Sequence, residues 1–165
     1  MISAIKHKDL KLVLMEPAAA GVKNPYYLIK EEAQVIFVIS PGKNGSEFNK
    51  TLCLSSNFAG VNVYQSLYGQ GILVMQRNDE VGEAKEFKVI TLSAGRQVEV
   101  PAGMNILFSN VGRSFLVILG PVIDKSDNKE ILEKQGLAYY IVEKKGEIGF
   151  EQNPNYRVHP QISTE

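Results

Sequence analysis

The sequence predicts an all-β domain, a sandwich or jelly-roll barrel. Three observations carry that prediction. Runs rich in β-branched and aromatic residues recur along the chain, as in AQVIFVIS (Ala33–Ser40). Turns carrying glycine or proline separate them at short, regular spacing. A single stretch near the C-terminus has the start and stop signals of a helix.

The organising stretch is Val61–Asn110. It opens with VNVYQSLYGQGILVMQR (Val61–Arg77) and closes with GRQVEVPAGMNILFSN (Gly95–Asn110). Before it, the apolar run Leu10 to Met15 reads as an N-terminal edge strand. It is too short to cross a membrane, and no small-residue cleavage pattern follows it. Asn24-Pro25 starts a turn, and Tyr26 to Lys30 and Ala33 to Ser40 read as strands. Pro41-Gly42-Lys43-Asn44-Gly45 is a turn whose glycines are free to take positive φ. Phe48 to Ser55 reads as the next strand.

Asn62 to Tyr68 and Ile72 to Arg77 then read as a hairpin across Gly69-Gln70-Gly71. Glu80, Glu83 and Glu86 lie in or beside a charged turn that reads as solvated. Phe87 to Leu92, Gln97 to Val100, Met104 to Val111 and Ser114 to Leu119 follow as strands. In the helix, Asp127 is the expected cap, Glu130 the capping-box partner and Gly136 the stop. Ala138 to Glu143 and Glu147 to Glu151 form a last hairpin about Lys144-Lys145-Gly146. The expected organisation is one domain over 1–165. Its barrel core covers about 26–154, and a polar tail, 155–165, is expected to fray.

Hydrophobic residues make up 44% of the 165 positions and charged residues 22%, an ordinary globular composition. The 18 basic and 18 acidic residues balance, with no basic stripe for nucleic acid or an anionic membrane. The one cysteine, Cys53, allows no intrachain disulfide, which points to a reducing, cytoplasmic setting.

Along the strand from Asn62, one face carries Asn62, Tyr64 and Ser66, and the other Val61, Val63, Gln65 and Leu67. Parity alone leaves open which face is inside. Gly95, Pro101, Gly103 and Asn110 match the second cupin motif, G-x5-P-x-G-x2-H-x3-N, with Ile106 at the histidine position. More of the chain resembles one cupin family, the archaeal-type glucose-6-phosphate isomerases. Pro41-Gly42-Lys43 with Gly45, Glu47 and Phe48 is similar to its P-G-K-x-G-x-E-F. Val63-Tyr64, Gly69-Gln70-Gly71, Met75-Gln76 and Asn110-Val111-Gly112 match further motifs. Gly136 to Pro154 follows its C-terminal pattern without a gap, with apolar swaps such as Leu137 and Ile148. The resemblance covers roughly Tyr26 to Pro154 and implies a cupin double-stranded β-helix and a homodimer built by joining strands across two barrels.

That family is expected to hold one divalent metal with an H-x-H pair, a glutamate and a later histidine. The metal holds two sugar oxygens while a proton moves between adjacent carbons through an enediol, with the glutamate as base. Carried onto this chain, the H-x-H pair falls on Cys53 and Ser55, or on Leu54 and Ser56 with a slip of one. The glutamate falls on Asn62 and the later histidine on Ile106. Isoleucine has no lone pair, and an amide cannot serve as base. His7 and His159 are the chain's two histidines, near its ends. The resemblance implies sugar-phosphate contacts at Tyr64, Thr51 and Tyr27. Phe37, Gly120 and Ser126 replace a threonine, a tyrosine and a histidine.

Three functions follow as expectations. The first is a metal-free, cofactor-free, non-catalytic binder of a sugar or sugar phosphate through Tyr64, Thr51, Tyr27 and Asn62. The second is an isomerase with an altered site and a replacement base, Glu99 or Glu47. The third is a structural or interaction protein whose barrel is filled by residues such as Ile106 and Phe58.

Overall fold

The computed structural model describes residues 1–55, 59–123 and 128–165. The expectations placed on Ser56, Phe58, Ser126 and Asp127 lie outside the described residues. In chain order, β1 (Ile2–Ile5) precedes a one-turn helix, α1 (His7–Leu10), and a 3-10 turn at Lys11–Val13. Next come β2 (Tyr26–Lys30), β3 (Gln34–Ile39), β4 (Lys43–Asn44), β5 (Glu47–Phe48) and β6 (Leu54–Ser55). The middle of the chain supplies β7 (Asn62–Tyr68), β8 (Gly71–Asn78), β9 (Ala84–Leu92), β10 (Gln97–Val100), β11 (Asn105–Asn110) and β12 (Leu116–Pro121). Helix α2 (Lys129–Glu133), β13 (Tyr139–Lys144), β14 (Glu147–Gln152) and β15 (Ile162–Thr164) complete it.

These strands form the predicted all-β jelly roll. One sheet has the order β1-β2-β3-β12-β7-β10 and faces a second of order β15-β9-β8-β11-β6. A smaller sheet, β14-β13-β5-β4, abuts them. The first core cluster lies between the two large sheets and includes Phe37, Tyr64, Ile106, Phe108 and Ile118. A second cluster lies on the other side of the second sheet, where Phe87, Leu107, Ile131 and Leu137 pack together.

Four expectations change. Leu10 to Met15 is not an edge strand: its first residues are helical, and Leu10, Val13 and Leu14 are buried while Leu12 is 65% exposed. That i, i+3, i+4 spacing is a helical period, and β1 takes the sheet edge instead. Strands β7 and β8 are not a hairpin, because they belong to different sheets. The Gly69–Gly71 turn is a corner of the roll. Gly69 has φ +87°, and a Cβ there would lie 2.2 Å from the Phe115 carbonyl oxygen. The β10–β11 connection at Pro101 and Gly103 also crosses between sheets.

The stretch Phe48 to Ser55 splits into β5 and β6, joined through a bridge from Lys50 to Ser109. Finally, the C-terminal tail docks. β15 pairs parallel with β9, and the Tyr156 hydroxyl donates to Gly136 O at 2.8 Å. Glu83, read as part of a solvated turn, anchors that tail by accepting from the Arg157 and Val158 amides at 2.6 and 3.0 Å.

Candidate functional site

Burial settles which side of β7 is inside. Tyr64 and Ser66 are buried, and Asn62 is half-buried, whereas Val61, Val63 and Leu67 are 42 to 51% exposed on the outer face. The polar set therefore faces the barrel interior. It does not, however, line an open space. The Tyr64 ring packs edge-on against Phe108 with centroids 5.2 Å apart, and Phe108 meets Phe37 at 5.6 Å. A Cβ on Gly120 would lie 2.4 Å from Tyr64 Cδ1, so the glycine makes room for the ring. The Tyr64 hydroxyl is buried without a hydrogen-bond partner among the described residues. Burial pushes its phenol well above the ordinary value.

The other positions disperse. The Thr51 hydroxyl accepts from the Phe108 amide at 3.2 Å and donates to Leu52 O at 2.9 Å, which ties the chain to β11. Tyr27 lies on the outer face of β2, and Tyr26 and Leu28 point inward instead. Ile106 is buried and pairs with Leu54 across the β11–β6 ladder. Leu52 and Leu54 pack on the barrel core, while Cys53 packs on the second cluster. Burial pushes the Cys53 thiol up to about 12, so it stays protonated at neutral pH.

Neither candidate base stands free inside the barrel. Glu99 is exposed opposite Val63, on the outer face. Glu47 is buried in an ion pair with Lys50 at 2.6 Å and accepts from the Met15 amide at 3.0 Å. Among the described residues, no three of histidine, cysteine, aspartate and glutamate come together as a metal site.

A cavity of about 290 Å³ opens elsewhere, at one end of the barrel. Its walls are Tyr26 and Leu28 of β2, Val35 and Phe37 of β3, the Leu52–Ser55 segment, and Ile131 and Leu132 of α2. Burial pushes the Tyr26 phenol up to about 12. On one side Ser55 Oγ donates to Asn105 Oδ1 at 2.6 Å, and Asn128 Nδ2 donates to the same oxygen at 2.7 Å. This network fastens the start of α2 to the β6–β11 edge. Of the sequence-predicted positions, the cavity takes Cys53, Leu54, Ser55 and Phe37, and it leaves out Asn62, Tyr64, Thr51, Tyr27 and Ile106. Sequence reasoning missed Tyr26, Leu28 and Ile131. The period-2 pattern of β2 was the available signal for the first two.

The profile of the glucose-6-phosphate isomerase (GPI) family matches residues 28–159. The chain belongs to that family. It is the cupin-type branch, and the solved structures it resembles include cupins. A predicted oxalate decarboxylase from Thermotoga maritima matches with 14% identity, over 74% of this chain and 91% of that one, at a TM-score of 0.46. The CENP-C cupin domain of Drosophila melanogaster matches with 12% identity, over 73% and 86%, at 0.44. Hydroquinone 1,2-dioxygenase from Sphingomonas sp. TTNP3 matches with 16% identity, over 59% of this chain, at 0.42. The chain spans 63% of that dioxygenase. No curated protein matches.

The described residues at the positions where the family implies a divalent metal offer few donors. Leu54 and Ile106 offer no donor atoms, and Asn62 offers a neutral amide.

Proposed function

We propose that this protein is a non-catalytic, metal-free member of the isomerase family that works as a cytoplasmic, homodimeric small-molecule binder. One observation carries the reading. The positions that would supply ligands and base hold Cys53 and Ser55 (or Leu54 and Ser56), Asn62 and Ile106; of the nearby carboxylates, Glu99 faces outward and Glu47 is held in a buried ion pair with Lys50. Proton transfer between adjacent sugar carbons needs a base within hydrogen-bond reach and a group to hold the oxygens. No described side chain in the barrel supplies both.

The expected sugar or sugar-phosphate ligand finds little support. The Tyr64 hydroxyl is enclosed, that of Thr51 is already bonded, and Tyr27 faces outward. The barrel centre is filled by Tyr64, Ile106 and Phe108, which favours the third reading for that part of the interior. The open cavity beside it favours a binder.

Elemental analysis of the purified protein, with a coupled assay on glucose 6-phosphate and fructose 6-phosphate, tests the proposal. The expected result is no stoichiometric metal and no turnover with added Fe, Mn, Zn or Ni. One tightly held ion per chain, or metal-dependent turnover, would establish the isomerase reading instead.

A further inference from the structure

The chemistry of the cavity narrows its ligand, given that the protein is a binder. Its floor is apolar, with Tyr26, Val35, Phe37 and Ile131 buried there. A sugar placed against Val35, Phe37 and Ile131 would lose water from its hydroxyls with no partner in exchange, and the Ser55 and Asn128 side chains at the cavity's edge are already engaged with Asn105. Apolar surface placed there is instead favoured by its removal from water. The cavity, about 290 Å³, is roughly twice the 150 Å³ of an apolar cavity that holds benzene, so it suits about a dozen non-hydrogen atoms.

Lys30 decides the polar end. It is the only charged side chain among the described lining residues, and it is exposed at the rim. It is extended on the inward face of β2, two residues beyond Leu28. Its ammonium has no ion-pair partner among the described residues, unlike Lys43, Lys50, Lys88, Lys134 and Lys144. Among the described residues, one cation stands over an apolar well, which matches one negative charge on an apolar body.

We propose that the cavity binds a small amphipathic monoanion, a medium-chain carboxylate, with its chain against Val35 and Phe37 and its carboxylate at Lys30. The pairing is charge-assisted and sits at the water boundary, so neither group is stranded in the interior.

Titration calorimetry and amide chemical-shift mapping with decanoate below its micellar concentration test this. Octanoate, 1-octanol and glucose 6-phosphate serve as comparison ligands. Decanoate is expected to saturate one site, with shifts at Leu28, Val35, Leu52 and Ile131, and glucose 6-phosphate to give none. Lys30→Ala is expected to weaken octanoate about tenfold and leave 1-octanol unchanged. Leu28→Phe, at a half-buried wall position, and Val35→Phe each fill the well and are expected to abolish binding of both. Their thermal unfolding midpoints confirm that each variant is folded. Glucose 6-phosphate shifting these residues, decanoate shifts scattered over the surface, or equal losses for octanoate and 1-octanol in Lys30→Ala would overturn the assignment. Metal content and turnover are read on the same preparation. A metal-free, inactive protein that ignores decanoate refutes the ligand class alone, and a metal-loaded, active one refutes the reading beneath it.

Discussion

Tyr64 and Gly120 form a matched pair, and each explains the other. A tyrosine that the family resemblance assigns to ligand contact is here packed edge-on against Phe108, with its hydroxyl enclosed and unpartnered among the described residues. An enclosed hydroxyl without a partner costs more than it returns. Tyr64→Phe is therefore expected to leave stability unchanged or raise it by up to about 1 kcal/mol in urea unfolding. A loss well beyond that would mean the hydroxyl is bonded to water or ligand in solution. Gly120→Ala drives a methyl group into the Tyr64 ring and is expected to cost about 1–3 kcal/mol, relieved by Tyr64→Leu in the same chain. The motif made Asn110 legible but not its task. Its side-chain amide donates to Ile39 O at 3.0 Å and Ser114 O at 2.9 Å, and its oxygen accepts from the Gly112 amide at 3.0 Å. It clamps the end of β3 to the β11–β12 turn. The N-x-G spacing points to the local turn, but the partner on β3, Ile39, is 71 residues away in the chain.

Among the elements, the segment after α1 shows why local pattern misled. Six consecutive apolar or lysine positions, Leu10 to Met15, read as a strand until the buried set is known. What holds the segment is distant in sequence. Lys50 Nζ donates to Val13 O at 2.6 Å, and Gln135 Nε2 to Leu14 O at 2.7 Å, while Glu47 takes the Met15 amide. Lys50→Met removes one partner of a buried pair and leaves Glu47 charged and enclosed. A loss of about 3–5 kcal/mol is expected, and Glu47→Gln added to Lys50→Met should recover part of it. The docked tail depends on a different carboxylate. A hydrogen bond from Lys134 (2.6 Å), followed by those from the Val158 and Arg157 amides, lowers Glu83 from 4.5 to about 2. A carboxyl depressed by folding stabilises the fold above its unfolded value and loses that contribution as pH falls through its folded value. Wild-type thermal midpoints should therefore fall across the window from pH 4.5 to about 2 more steeply than those of Glu83→Gln. Parallel slopes would remove Glu83 as the cause. The tail looked polar because most of its anchors are backbone groups, the Arg157 and Val158 amides and the β15–β9 ladder, which composition does not record.

At the scale of the molecule, the barrel was legible and its open space was not. Glycine corners and β-branched runs are local and periodic, so they show in one sequence. The cavity forms where β2, the Leu52–Ser55 segment and α2 meet, and no pattern within any one of them announces it. The outer side of the six-stranded sheet is a second feature that only register reveals. Ile2, Ile29, Ile36 and Leu119 stand side by side across four strands, and Tyr27, Val38, Val117 and Tyr68 form the next row. Beside them Val63, Leu67 and Phe115 are more than 40% exposed. A continuous apolar sheet face of this kind is costly to leave in water and is suited to a two-fold contact, in which the same patch serves both partners. The homodimer proposed for this protein is therefore expected to use this face, sheet against sheet, rather than strands joined across two barrels. Val117→Glu combined with Tyr68→Glu puts two adjacent charges in the middle of the contact, at positions the monomer leaves half-buried or exposed. Sedimentation equilibrium should show the wild type as a dimer and this variant as a folded monomer with an unchanged circular-dichroism spectrum. A variant that still dimerises would move the interface to another face, and a wild type monomeric at all accessible concentrations would remove the dimer itself.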